Sequence, residues 1–422
     1  MKNILIINLR RIGDVYTTGH LLNSLTKHEG NSVSLLVYKE SAKAAANLKN
    51  ISTLHTIDRK EIITLKSNKL FSDGFAIDQL YTYLQPIKNQ KWDEIINYSN
   101  DLVGSYICSY LKDSSKKITG VHFNQNRNVV TSSDWEILFN DVLPVVKYAP
   151  MHFVDCYHKI IGINASREGE KLITNTDHNE TAFNNMNVIR KAHGGNESSA
   201  KIVGIQLKTA DRAKDIPQET IIEFLKLTTA NPDFIPVLLI APTEDERRCA
   251  AEINTQFNNE IVVIEADLQA VASVLMNIDI LVTPDTAIKH IADLTETPVV
   301  EISLGHAPFL KQGSYSPGSL ILTDLIIERN FTRGSDQDAG ESMTNIKAQD
   351  IMAAVGYYFS KTKSIRPKLT SDVTLYTSLL DQLGVRYAVV AGTVDTQTEI
   401  HRLMSRQLIN VVYDQNESNE IY

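Results

Sequence analysis

Three stretches of this chain bring ionisable, hydroxyl and small side chains together where an apolar run ends, which is where a parallel α/β sheet places its ligands. In the first, the run 4–9 is followed by Arg10-Arg11-Ile12-Gly13-Asp14. Glycine permits a tight turn and close approach of a ligand to the backbone. A carboxylate at the start of the next helix could take a proton from a sugar hydroxyl. A plain helix cap explains Asp14 too. In the second stretch, the run 202–207 leads into Lys208-Thr209-Ala210-Asp211-Arg212-Ala213-Lys214-Asp215-Ile216-Pro217. Hydroxyl, Arg and Lys in one loop, ahead of a helix starting near Pro217, suit a pyrophosphate, and the helix N-terminus adds to the attraction. A solvated loop would read the same way. The third is Pro284-Asp285-Thr286-Ala287-Ile288-Lys289-His290, after the run 278–283. Thr286 and His290 are four residues apart and share a helix face. Asp285 could bind sugar hydroxyls and His290 could donate to phosphate, or Asp285 could again be a cap.

Other candidates carry less. Asp336-Gln337-Asp338 is a D-x-D, a pattern some glycosyltransferases use for a metal, but it sits in a polar segment with no strand before it. It is not expected to hold a metal. Cys108, Cys156 and Cys249 are far apart and odd in number, so small buried hydrophobes are expected rather than a disulfide framework or a zinc site. Trp92 is expected in the core.

The elements that must position the three stretches alternate. Runs 4–9, 33–38 and 92–97 read as strands, and 41–48 and 102–111 as helices. Residues 165–200 are polar and rich in Asn, Thr and Gly, which reads as an interdomain region. A second series follows: strands at 202–207, 236–240, 261–265, 278–283 and 299–303, with helices at 221–227, 244–257, 268–276 and 288–294. Strict alternation implies βαβ units and parallel sheets. The expected fold is therefore α/β, with two Rossmann-like domains facing a cleft. Residues 1–165 and 201–345 would be the domains, and 166–200 would join them. Residues 346–422 would be a terminal helix and small α/β extension, with a helix at 348–359, an amphipathic stretch at 375–383, strands at 385–391 and 408–413, and a helix at 399–406.

A chain of 422 residues exceeds one ordinary core, so two domains are the expectation. A net charge of −8 makes it a poor candidate for sequence-independent nucleic-acid binding. No run approaches the roughly 20 apolar residues of a spanning helix, and the start does not look like a signal peptide, so a cytoplasmic protein is expected.

In order along residues 1 to about 355, the sequence resembles glycosyltransferase family 9, the heptosyltransferase family, closest to the lipopolysaccharide heptosyltransferase III type. The opening ILIINLRRIGDVYTTGHL is similar to that family's LRxxGDVLLTTP. Residues 92–97 resemble its YDxxID, 118–121 its RIGF, and 152–157 its HxVDRY. Residues 214–217 fall on KxWP, 243–246 on AEHE, 284–290 on VDTGLxH and 305–308 on GxTDP. The resemblance implies a GT-B fold, a nucleotide-activated sugar donor, typically ADP-heptose, inversion at the anomeric carbon and no metal or other cofactor. Asp14 would be the base; Arg10, Arg11 and Gly13 would meet the acceptor. Thr209 and Lys214 would hold donor phosphates, Glu244 the ribose, and Asp285, Thr286, Ala287 and His290 the sugar and pyrophosphate. The implied acceptor is an anionic glycan or lipopolysaccharide core at the inner membrane surface, and the extension could contact a protein partner. The chain departs from the pattern at Ala287 (Gly in the family), Ile216 (Trp) and Gly19 (Pro). These keep open a catalytically degenerate sugar-nucleotide-binding or scaffold protein; a nucleotide-sugar epimerase of similar fold is a third reading.

Overall fold

The structure, a computed structural model, describes residues 1–27, 30–67, 72–143, 149–194, 199–304, 309–324 and 344–419. The chain divides into two compact units. Unit 1 is Met1–Asp141 with Cys156–Ile173, and unit 2 is Val142–Asp155 with Thr174–Tyr422.

Unit 1 carries five parallel strands: β1 (Asn3–Ile7), β2 (Ser32–Tyr38), β3 (Thr53–Ile57), β4 (Glu94–Asn97) and β5 (Ile118–Thr119), in the order β3-β2-β1-β4-β5. The apolar runs become the central strands because both faces are covered by helices; Leu5, Ile6 and Ile7 are fully buried. The connecting helices are α1 (Ile12–Lys27), α2 (Ala42–Ala46), α3 (Arg59–Lys66), α4 (Ser72–Lys88) and α5 (Leu102–Leu111). A two-stranded hairpin, β6 (His122–Phe123) with β7 (Val129–Val130), and α6 (Asp134–Ile137) follow. The helix α7 (Phe153–Ile161) belongs to unit 1 from Cys156 onward. Trp92 is buried and its indole N–H donates to the Ile87 carbonyl, as a core tryptophan should. All three cysteines are buried and unbridged.

The main segment of unit 2 opens with α8 (Thr176–Gly194), in the region read from sequence as a polar connection. Its inward face offers little beyond Ala182 and Met186, so its apolar periodicity was too faint to see. Residues 195–198, the end of that connection, lie outside the described residues. Six parallel strands then form the sheet: β8 (Lys201–Gln206), β9 (Phe234–Ile240), β10 (Val262–Glu265), β11 (Ile280–Pro284), β12 (Val299–Ile302) and β13 (Leu320–Asp324). Between them run α9 (Gln218–Thr229), α10 (Glu244–Thr255), α11 (Val271–Leu275), α12 (Ala287–Thr295) and α13 (Phe309–Gln312). α14 (Ala348–Phe359) packs on this sheet with the same core cluster as β8 and β12.

The C-terminal region differs from its sequence reading. The stretch 375–383 lies mostly in a strand, β14 (Val373–Asp381), which pairs antiparallel with β13. β15 (Gly384–Gly392) follows by a tight hairpin, so the sheet has eight strands in the order β10-β9-β8-β11-β12-β13-β14-β15. Residues 408–413 are not a strand. They continue α15 (Thr396–Asn419), although Leu408-Ile409-Asn410-Val411-Val412-Tyr413 has strand-forming composition. Arg402 and Arg406 anchor this helix to unit 2, and tertiary contacts override the local preference.

Residues 149–155 are also part of unit 2. The buried Asp155 carboxylate accepts from the Tyr315 hydroxyl at 2.5 Å and from the Val385 amide at 2.7 Å. A Cβ at Gly384 would strike that carboxylate, so glycine is required there by both space and its φ of +97°. His152 meets the Gly313 carbonyl at 3.0 Å. The residues resembling HxVDRY are thus structural at His152 and Asp155.

Candidate functional site

Both sheets have a switch point, where the chain leaves its first strand and later returns on the other side of it. Unit 1 has its switch between β1 and β4, and unit 2 between β8 and β11. In doubly wound sheets ligands bind in the crevice at the carboxyl ends of those two strands.

In unit 1 this crevice is lined by the Arg10–Asp14 turn and the residues after β4. Ser99 joins the two strand ends: its hydroxyl accepts from the Leu9 amide at 2.7 Å and its amide donates to the Ile7 carbonyl at 2.9 Å. Arg10 is exposed, and its Nε donates to the Ser99 carbonyl at 2.6 Å, which ties its guanidinium across the switch point. Arg11 is exposed. Asp14 lies in the first turn of α1, half-buried. Its backbone carbonyl accepts from Asn8 Nδ2 at 3.0 Å and Thr17 Oγ1 at 2.7 Å, which fixes where the side chain starts. Gly13 is the second residue of α1 and has no positive φ, so the tight-turn argument for it falls away. Below the turn, burial pushes the Tyr98 phenol above its ordinary range, and that neutral hydroxyl sits 3.2 Å from Thr17 Oγ1.

In unit 2 the crevice holds a charged cluster. Asp285 follows β11 and is nearly buried. Its Oδ2 accepts from Lys214 Nζ at 2.7 Å and from Gln312 Nε2 at 3.2 Å; its Oδ1 accepts from Lys289 Nζ at 2.5 Å. Lys289 is fully buried and also meets Glu301 of β12 at 3.1 Å and the Gln312 carbonyl at 2.8 Å. Burial alone would raise the Asp285 carboxyl, but Lys289 and Lys214 outweigh it and hold it far below its ordinary range. Burial pushes the Glu301 carboxyl up, partly offset by Lys289. Behind these, Gln206 at the end of β8 accepts from Thr283 and from Thr286, each at 2.6 Å, and bridges the two strands of the switch point.

The structure thus brings Lys214, Asp285, Thr286 and His290 together. Ala287 is the first residue of α12, half-buried in helical backbone, so its methyl costs no backbone strain. Thr209 lies in the same loop as Lys214, but its amide donates to Asp215 at 2.7 Å and its hydroxyl to the Asp211 carbonyl. Glu244 starts α10, after the neighbouring strand β9, and is exposed. Glu246, two residues on, reaches back to the Ala241 amide at 2.8 Å and closes that turn. Residues 305–308 and the D-x-D at 336–338 lie outside the described residues.

Sequence reasoning missed Lys289, Glu301, Gln206 and Gln312. Two signals were available. Asp285 and Lys289 have the i,i+4 spacing of a helical ion pair, and Glu301 is a lone charge inside an apolar parallel strand, Val299-Val300-Glu301-Ile302.

His290 lies 3.9 Å from Asp285, yet burial, reinforced by Lys289, pushes its imidazole down to about 3. It can donate one N–H to an anion but brings no charge. A pKa lowered by folding means the unfolded chain takes the proton first. His290 therefore contributes stability above its ordinary 6.5 that is lost as pH falls below that value. An NMR titration of the imidazole nitrogens should find His290 neutral throughout pH 5–7; a midpoint near 6.5 would show the site is wetter than described.

Comparison with known proteins agrees with this architecture. Among solved structures, a glycosyl transferase family 9 protein from Veillonella parvula superposes with a TM-score of 0.58 at 14% identity, covering 85% of this chain and 97% of its own. E. coli ADP-heptose lps heptosyltransferase II gives 0.56 at 13%, covering 85% and 98%. E. coli heptosyltransferase WaaC with ADP gives 0.51 at 14%, covering 74% and 90%. These likenesses establish the fold, two Rossmann-like units of GT-B type. Among curated protein sequences none matches the chain. The sequence model of glycosyltransferase family 9 (heptosyltransferase) matches residues 81–308, more than half of the chain. The chain belongs to glycosyltransferase family 9, the heptosyltransferase family, and is a glycosyltransferase.

Proposed function

We propose that this glycosyltransferase moves a heptosyl unit from ADP-heptose to a lipopolysaccharide core or related anionic glycan, with inversion and without a metal. The observation that carries the reading is the pairing of Lys214 with Asp285 at the switch point of unit 2. Lys214 reaches the crevice on a flexible stem, while Asp285 keeps Lys289 as a second counterion when Lys214 turns to a diphosphate. Asp285 then acts by holding Lys214 ready rather than by binding sugar hydroxyls. Thr286, Ala287 and the N-terminus of α12 would face the pyrophosphate, with His290 as a neutral donor. Glu244, after β9, would take the ribose. Two solved relatives are named for ADP and ADP-heptose, which brings that donor forward.

On the acceptor side Asp14 would remove the proton from the attacking hydroxyl. That oxygen forms a bond to the anomeric carbon as the bond to the pyrophosphate breaks, and ADP leaves with its charge met by Lys214. Arg10 and Arg11 would meet acceptor phosphates or carboxylates. No helix among the described residues is long and apolar enough to cross a membrane, so contact with an inner-membrane acceptor would be peripheral.

The test is transfer. ADP-heptose with phosphorylated and with neutral glycan acceptors should release ADP and add one heptosyl mass to the charged acceptors only. ADP binding without transfer to any acceptor would favour a sugar-nucleotide-binding protein, and turnover of the donor alone would favour an epimerase. Lys214→Ala should weaken ADP binding by roughly 10- to 100-fold, the loss of one or two charge-assisted hydrogen bonds.

A further inference from the structure

The last helix of unit 2 is turned inside out. Among the described side chains of α15, Arg402 and Arg406 are the buried ones, at 3% and 5% exposure. Ile400, Leu403, Met404, Leu408, Val411 and Val412 are all exposed, between 46% and 63%. At 3.6 residues per turn these six lie on one face, opposite the two arginines. The orientation is locked. Arg406 grips Asp381 through two nitrogens and also donates to the carbonyls of Pro150, at 2.6 Å, and Gly384, at 3.1 Å. Arg402 donates to the Tyr387 carbonyl at 3.0 Å and pairs with Glu399. Rolling the helix to bury its apolar side would strip the Pro150, Gly384 and Tyr387 carbonyls of their donors. The chain therefore holds an apolar stripe outward.

We propose that this stripe is the contact through which two copies of this chain associate, helix against antiparallel helix about a two-fold axis. Three observations favour a second copy over other occupants. First, the stripe is self-complementary. Ile400, Met404, Leu408 and Val412 recur every four residues, so antiparallel pairing sets Met404 against Leu408 and Ile400 against Val412. Second, the size fits: six half-exposed apolar side chains present on the order of 500 Å², the scale of an interaction patch. Doubled across a two-fold axis that is about 1,000 Å², enough for a specific but modest interface. Third, the charge is wrong for a lipid surface. Both arginines of the helix face inward, and past Arg406 the sequence holds Asp414, Glu417 and Glu420 with no lysine or arginine. Helices that lie on anionic bilayers carry exposed cations beside the apolar face.

Light scattering on the full chain across about 1–100 μM should show its mass rising toward twice that of one chain. Met404→Glu with Leu408→Glu should weaken association by about 100-fold or more. These side chains are exposed in the single copy, so helix content and the melting of the dilute protein should stay unchanged. As a second reading, Met404→Cys chains mixed with Leu408→Cys chains should form a mixed disulfide, since the native cysteines are buried. A wild-type chain that stays monomeric, or a dimer untouched by the double substitution, overturns the proposal. So does flotation of the wild type with phosphatidylglycerol vesicles that the same substitution abolishes, which would assign the stripe to lipid.

Discussion

Replacing Asp14 by Asn should lower kcat for sugar transfer by roughly 10²- to 10⁴-fold, the range a general base contributes. The change is nearly isosteric, and the residue's backbone carbonyl keeps its bonds from Asn8 and Thr17, so the turn should survive. Donor affinity should hold, because the groups proposed for the donor are on unit 2. The signature is a fall in kcat with little change in donor KM or in the Kd for ADP. Loss of both together would mean that Asp14 shapes the site rather than acting as base. Full activity would remove it from the mechanism and leave it as a first-turn carboxylate that favours the N-terminus of α1.

Lys289→Met should destabilise the protein by about 3–5 kcal/mol, because it removes one partner of a buried ionic cluster and leaves the others without compensation. Lys289 is fully enclosed and serves Asp285, Glu301 and the Gln312 carbonyl at once. Methionine keeps most of the volume, so a cavity does not explain the loss. The pH dependence separates the two sources. In the intact protein the Asp285 carboxyl is held below its ordinary 3.8, so its contribution is fully present above that pH and is lost as pH falls below it. Without Lys289, burial raises the folded-state values of the carboxylates, and they cost most once pH rises past their unfolded values. The deficit of Lys289→Met should therefore be largest near neutral pH and shrink toward pH 4–5. Urea unfolding across that range measures it; a deficit independent of pH would point to packing.

What the sequence shows and hides follows from these particular residues. The strands that carry the site, β1, β8 and β11, are buried along nearly all their length and therefore written as mainly apolar runs, and the loops after them stand out by contrast. Strand order is not written locally, so the placement of Asp14, Lys214 and Asp285 at switch points emerges only in the fold. The cluster under the proposed donor site was hidden because a buried lysine looks like any surface lysine in a helix. Its traces are the i,i+4 spacing of Asp285 and Lys289 and the lone Glu301 in an apolar strand. The helix α8 was obscured by its thin apolar face. α15 was misread because its outward face, Leu408 to Val412, has the composition of a strand, and the arginines that hold it as a helix act through partners as distant as Pro150.

The central claim is that unit 2 holds the diphosphate of an adenosine donor through Lys214 at the β8/β11 switch point. Calorimetric titration of ADP, UDP, GDP and CDP into the full chain, with chelator present, tests it most directly. ADP should bind with preference, unaffected by chelator, and Lys214→Ala should weaken it. Binding of none of the four, or ADP binding that ignores Lys214→Ala, would contradict it.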